Sequence, residues 1–158
     1  MSAWIAGELD AERTLPLEAR QQALVETIRA FIRARLHDPG LTPPMVAAAH
    51  HISVSHLHRL FARYSKGETV AGFIRRQRLR KAHRELADPA LLALPAHAIG
   101  SRCGIPNPSD FSRAFKAAHG LSPREHRRQA QPEPTTEETQ STEPETQRAF
   151  HHRTAHLT

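Results

Sequence analysis

From residue 17 onward apolar side chains recur every three or four positions. In LEARQQALVETIRAFIRARL, Leu24, Ile28, Phe31, Ile32 and Leu36 share one helical face, and Asp38, Pro39 and Gly40 close the segment. Thr42 before Pro43 and Pro44 reads as an N-cap with proline in the first turn. It opens a short Ala-rich helix, MVAAAH, that breaks near His50 and His51. A further helix starts at Ser53, with Val54, Leu57, Leu60, Phe61 and Tyr64 as its apolar stripe. Ser55, His56, His58, Arg59 and Arg63 fall on its other faces.

After a break at Lys66 and Gly67, Thr69 can cap a long helix, VAGFIRRQRLRKAHRELAD, ended by Asp88 and Pro89. Such a helix spans roughly 30 Å. The loop PALLALP leads to a short helix from Ala96 to Cys103 that stops at Gly104. Asn107, Pro108 and Asp110 supply a cap, a proline and an acidic first turn for DFSRAFKAAH, which Gly120 ends. Ser122, Pro123 and Glu125 form a capping box that opens a last helix to about Gln129. The expected fold class is all-α, with seven helices and no convincing strand.

The text changes at residue 131. QPEPTTEETQSTEPETQ has no large apolar residue and cannot offset its ordering entropy by burial, so residues 131–158 are expected to form a disordered acidic and polar tail. Residues 1–16 are a short mixed leader.

Composition narrows the class. A chain of 158 residues allows one domain, or two small helical lobes, plus tails. A single cysteine, Cys103, excludes a disulfide framework and a Cys-based zinc finger and suits a reducing compartment; it reads as a buried structural thiol. Acids stand where a signal peptide would have a basic leader, and no run approaches the roughly 18 apolar residues of a membrane span. A cytoplasmic location and no membrane partner are expected. Between residues 17 and 130 lie 19 of the 22 Lys and Arg but only 8 of the 16 Asp and Glu. The net excess of positive charge favours a polyanionic partner, and the dominance of Arg suits bidentate contact with phosphates and guanine edges.

An internal repeat sharpens this reading. SHLHRLF at 55–61 and SDFSRAF at 109–115 share S-x-(L/F)-x-R-x-F, and each follows a short helix and a tight turn. Two helix-turn-helix units are implied, in each of which the second helix presents polar residues to a major groove. Leu57 with Phe61, and Phe111 with Phe115, would face the core. Ser55, His58 and Arg59 in one copy, and Asp110, Ser112 and Arg113 in the other, would face outward. Arg59 and Arg113 are the equivalent basic readers. Ser53 and Asn107 serve as caps whose helix ends can also receive phosphates.

At these residues the chain resembles the AraC/XylS family of bacterial transcription regulators. GIPNPSDFSRAFKAAHGLSPREHRR is similar to that family's signature G-F-x-x-x-S-x-F-x-R-x-F-K-x-x-x-G-x-(S/T)-P-x-x-(Y/F)-R, with Ile105 and His126 replacing aromatics that pack inside the second lobe. The first copy with FIRRQRLRKAHREL also resembles the family's recognition and linking helices, with Arg78, Leu79 and Ala82 in place. The resemblance covers about residues 20 to 129.

It implies a seven-helix, two-lobed DNA-binding domain over residues 17–130 that sets two recognition helices into successive major-groove segments. A rigid helix of roughly 30 Å is commensurate with the roughly 34 Å between such segments. The DNA-contacting set is then Ser53, Ser55, His56, His58, Arg59, Arg63, Asn107, Ser109, Asp110, Ser112, Arg113 and Lys116. The partner is promoter or operator DNA, bound by a monomer at the nucleoid, with RNA polymerase a further candidate. The family usually adds a sensor or dimerisation domain, so the chain reads either as a stand-alone regulator or as a fragment in which residues 1–16, with Trp4 and Ile5, are the remnant of an absent sensor.

Other readings are weaker. The run Arg75, Arg76, Arg78, Arg80, Lys81 and Arg84 reads as a solvated face rather than a DNA track, with Arg78 a candidate for a structural role. Twelve histidines lack an i, i+4 pair backed by carboxylates or thiolates, so no metal or cofactor is expected. No phosphate loop, paired-carboxylate cleft or catalytic triad spacing occurs, which argues against an enzyme. The rival from another class is a basic helical adaptor for an acidic protein surface.

Overall fold

The computed structural model describes residues 16–131. The expected leader, and the tail beyond Gln131, lie outside the described residues. Seven α-helices and no strand occur among these: α1 (Leu17–Ala34), α2 (Pro43–Ala49), α3 (Val54–Tyr64), α4 (Val70–Ala87), α5 (Ala96–Arg102), α6 (Pro108–His119) and α7 (Pro123–Ala130). A 3₁₀ turn, Pro89–Leu91, sits in the loop after α4, where the Asp88 carboxylate accepts from the Ala90 amide.

Local chemistry sets the helix starts. The side chains of Thr42, Ser53, Thr69, Asn107 and Ser122 each accept a first-turn backbone N–H. Each such cap is worth about 1 kcal/mol. At α7 the Glu125 carboxylate also accepts from the Ser122 amide at 2.8 Å, completing the capping box. Gly120 ends α6 in the left-handed region at φ +78°, where a side chain would be strained.

Two apolar cores form, one per lobe, and α4 belongs to both. Val70, Phe73 and Ile74 from its first half join Val25, Ile28, Ile32, Val46, Leu57 and Phe61. Leu79, Ala82 and Leu86 from its second half join Ile99, Cys103, Ile105, Phe111 and Phe115. Eighteen residues of continuous helix, about 27 Å, therefore tie the lobes together as one beam. The α1 stripe is rotated slightly from expectation, since Val25 is fully buried while Leu24 and Phe31 are only partly covered. Val54 departs from its expected stripe: it stands 37% exposed in the first turn of α3.

The lobes meet at Arg78. Its guanidinium donates to the backbone carbonyls of Leu36 (3.1 Å) and Asp38, in the turn that follows α1. Gly104, at φ +84°, packs against the same carbonyl and guanidinium. Burial lowers the Arg78 pKa, the ordinary consequence of removing a cation from water.

Candidate nucleic-acid interface

The two helix-turn-helix units, α2–α3 and α5–α6, place equivalent residues in equivalent environments. On α3, Leu57, Leu60 and Phe61 are buried, as are their counterparts Phe111, Ala114 and Phe115 on α6. Helical geometry then turns the residues between them away from the cores. Ser55, His58 and Arg59 are exposed on α3, and Ser109, Ser112, Arg113 and Lys116 on α6. His56 is half-buried beside the cap of α3, and Asp110 is half-buried in the first turn of α6.

Side-chain bonding separates these residues further. Ser53 Oγ accepts from the His56 amide at 3.1 Å and Asn107 Oδ1 from the Asp110 amide at 3.0 Å. Both act as caps. Arg59 has no hydrogen-bond or ion-pair partner among the described residues, and Arg113 makes only a 3.4 Å bond from Nε to the Ser109 carbonyl of its own helix. Their guanidiniums are free to meet another molecule. Arg63 is committed elsewhere: it reaches Glu18 of α1 at 2.8 Å and lies over the Tyr64 ring. Asp110 faces Arg75 of α4 at 3.4 Å. Both pairs are exposed, so each is worth roughly 0–1 kcal/mol and yields readily to a phosphate.

The basic run along α4 divides. Arg76 donates twice to Glu68, at 2.7 Å each, and this holds the Glu68 carboxyl below its usual range while raising the guanidinium pKa. Arg78 binds the carbonyls after α1, and Lys81 lies 3.7 Å from Glu85. Arg80 and Arg84 are exposed without a partner among the described residues. The run is thus mostly intramolecular.

Sequence reading left other arginines unassigned. Arg29 donates to the Tyr64 carbonyl at 2.9 Å and to Ser65 Oγ at 2.8 Å, satisfying the end of α3. No local spacing announces a partner 35 residues away. Arg124, Arg127 and Arg128 of α7 lie in a cleft that also includes Ser112. Their density in PREHRRQA was a signal available in the sequence.

Among histidines, His83, His119 and His126 stack around Phe115, with ring centroids 4.6 Å apart for His83–His119 and 3.9 Å for His83–His126. His126 thus packs in the second lobe where an aromatic was expected, with Nε2 at 3.0 Å from the His83 carbonyl. Among the described residues no cluster of three metal-ligating side chains occurs, and no helix is long and apolar enough to cross a membrane.

Residues 46–129 match the model of a helix-turn-helix domain family. The chain is 32% identical over 109 residues to YpdC of Escherichia coli K12, an uncharacterized HTH-type transcriptional regulator; the match covers 69% of this chain and 36% of that protein. The chain therefore spans about a third of that relative's length. Among solved structures, it is similar to the C-terminal domain of AraT, a response regulator from Geobacillus stearothermophilus, at 27% identity and TM-score 0.64, covering 74% of this chain and 93% of that one. The C-terminal domain of the response regulator yesN from Fusobacterium nucleatum shares the fold at 20% identity and TM-score 0.60, covering 66% of this chain and 98% of that one. A DNA-binding transcriptional dual regulator from Escherichia coli K-12 shares it at 16% identity and TM-score 0.58, covering 65% and 87%.

Proposed function

Because the chain belongs to the AraC/XylS-type helix-turn-helix family of transcription regulators, we propose that it binds double-stranded DNA sequence-specifically, with α3 and α6 entering successive major-groove segments. The observation that carries this reading is the repeat in three dimensions: two capped helices, each with an exposed Ser and an exposed Arg at the same place, on one shared beam. Arg59 and Arg113 are the base readers, because an exposed guanidinium beyond the first turn suits bidentate contact with a guanine edge. Ser55, His58, Ser109 and Ser112 flank them. Ser53, His56, Asn107 and Asp110 shape the helix ends that approach phosphates. Lys116 and Arg63 contribute phosphate contacts, Arg63 by exchanging its Glu18 partner.

Both readers belong to residues 17–130 of one chain, so a monomer suffices for a complete site. Regulation then follows from where on a promoter the domain sits, with RNA polymerase as the second partner. The test is a titration of labelled random duplex at several salt concentrations. Displacement of phosphate counterions by several Arg and Lys gives a linear log–log decline with a slope of several units. A flat response would contradict the proposal.

A further inference from the structure

A cleft of about 780 Å³ opens where the first turns of α5, α6 and α7 converge. Pro108, Phe111 and Pro123 give it apolar walls, and Arg124, Arg127 and Arg128 give it positive charge, with no carboxylate lining it among the described residues. The nearest acid on α7, Glu125, is spent in the capping box with Ser122. Arg127 donates one N–H to the Leu94 carbonyl, while its Nε and Nη2 are buried without a partner among the described residues. The cleft is therefore cationic and half apolar, and no acid among the described residues lining it neutralises it.

Gln131 lies on its rim, and its Nε2 is likewise buried without a partner among the described residues. From there the chain continues as PEPTTEETQSTEPE, which carries five Glu, three Pro and no Lys or Arg. Charge and shape both match: carboxylates suit the exposed guanidiniums of Arg124 and Arg128, and proline rings suit a wall of Pro and Phe. Attachment at Gln131 makes the encounter intramolecular, with an effective concentration in the millimolar range. Only Pro132 separates Gln131 from Glu133, at most about 7 Å of chain, and Glu137 and Glu138 come within about 25 Å. That reach covers the arginines of α7 and Ser112 of α6, which line the same cleft as Gln131.

We propose that residues 132–145 dock in this cleft and compete there with DNA for the exposed side of α6. The competition rests on the DNA-binding reading; the docking does not. Both are tested on the full chain and on a full chain carrying Glu→Gln at 133, 137, 138, 143 and 145. In amide ¹H–¹⁵N spectra at low salt, the signals of Ser112, Arg124, Arg128 and Gln131 differ between the two proteins. A peptide of residues 132–145, added at millimolar concentration to the Gln variant, moves them towards their wild-type positions. Superimposable cleft signals in the two proteins would overturn the docking.

In the second arm, anisotropy of a labelled random duplex shows the Gln variant binding several-fold tighter than wild type. Arg124→Gln with Arg128→Gln, two exposed positions, narrows that difference. An unchanged difference in the Arg variant would mean that the segment acts through charge at a distance, which overturns the proposal. If no protein in the set binds duplex while the cleft signals still shift, the DNA reading fails and the docking stands.

Discussion

The backbone of Gly104 passes so close to Leu36 that a Cβ on the glycine would lie 2.2 Å from the Leu36 carbonyl oxygen and 2.6 Å from Arg78 Nε. This contact joins the turn of the second helix-turn-helix unit to the end of α1 in the first lobe. At φ +84° a side chain is also conformationally strained. Gly104→Ala is expected to cost more than about 3 kcal/mol, because strain of about 1–2 kcal/mol adds to a collision with backbone that cannot move aside. Urea unfolding checks it. A loss under 1 kcal/mol would show that the lobes can separate slightly at no great expense.

Gly100 and Gly120 separate space from conformation. A Cβ at Gly100 would stand 2.6 Å from Phe111 Cγ, whereas nothing lies within 4 Å of one at Gly120, which has φ +78°. Gly100→Ala should cost about 1–3 kcal/mol by overpacking α5 against α6, and Gly120→Ala about 1 kcal/mol from backbone strain alone. Only the first should also shift the near-ultraviolet signature of the Phe111–Phe115 cluster.

Arg78 tests the junction from the other side. Replacing it with Met keeps the aliphatic bulk but leaves the Leu36 carbonyl without its donor and the Asp38 carbonyl with the Leu41 amide alone. The expected loss is about 1–3 kcal/mol, with Arg78→Lys recovering part of it. Equal stability of wild type and Arg78→Met would mean that water replaces the guanidinium.

How far could these relationships be read from the chain? Caps and breakers act within four residues, so Thr42, Ser53, Thr69, Asn107 and Ser122 announce the starts of five of the seven helices, and Gly120 the end of one of them. The alternation that buries Leu57 and Phe61 also announced which side of α3 is free. Val54 misled because periodicity shows which face is apolar and not how far along the helix burial extends. Arg29 and Arg78 act across 35 to 42 residues; only the folded packing brings those carbonyls to them. Arg63 looked like its neighbour Arg59 in the sequence, and its pairing with Glu18 depends on where α1 lies.

Acid should weaken the fold through two histidines. Burial lowers the pKa of His50, with His51 adding to the effect, and burial with the charges of His126, His119 and Arg84 lowers that of His83. The folded chain then binds fewer protons than the unfolded chain below the ordinary value of 6.5, so stability falls as pH drops through it. Thermal melts between pH 7.5 and 5 should show a declining Tm, and His83→Gln should flatten the decline. The lowered carboxyl pKa values of Glu68 and Glu125 place a further loss below their ordinary 4.5. A Tm that does not move between pH 7.5 and 5 would contradict the histidine account.

Cys103 should be inert. Burial first, and then the Glu85 carboxylate, push its thiol pKa up to about 12, which leaves almost no thiolate at pH 8. Iodoacetamide should modify the native chain slowly and the guanidinium-unfolded chain within minutes. Rapid stoichiometric labelling of the native chain would mean that the second core opens often.

The most direct test of the central claim is selection of binding sites from a random duplex library with wild type, Arg59→Ala and Arg113→Ala. Two helices reading separate groove segments predict that each variant loses sequence preference in a different part of one bipartite site. The loss is about 1–3 kcal/mol of discrimination at the position each arginine reads. The double variant should then be nearly additive. Both variants selecting the wild-type site with wild-type affinity would contradict it.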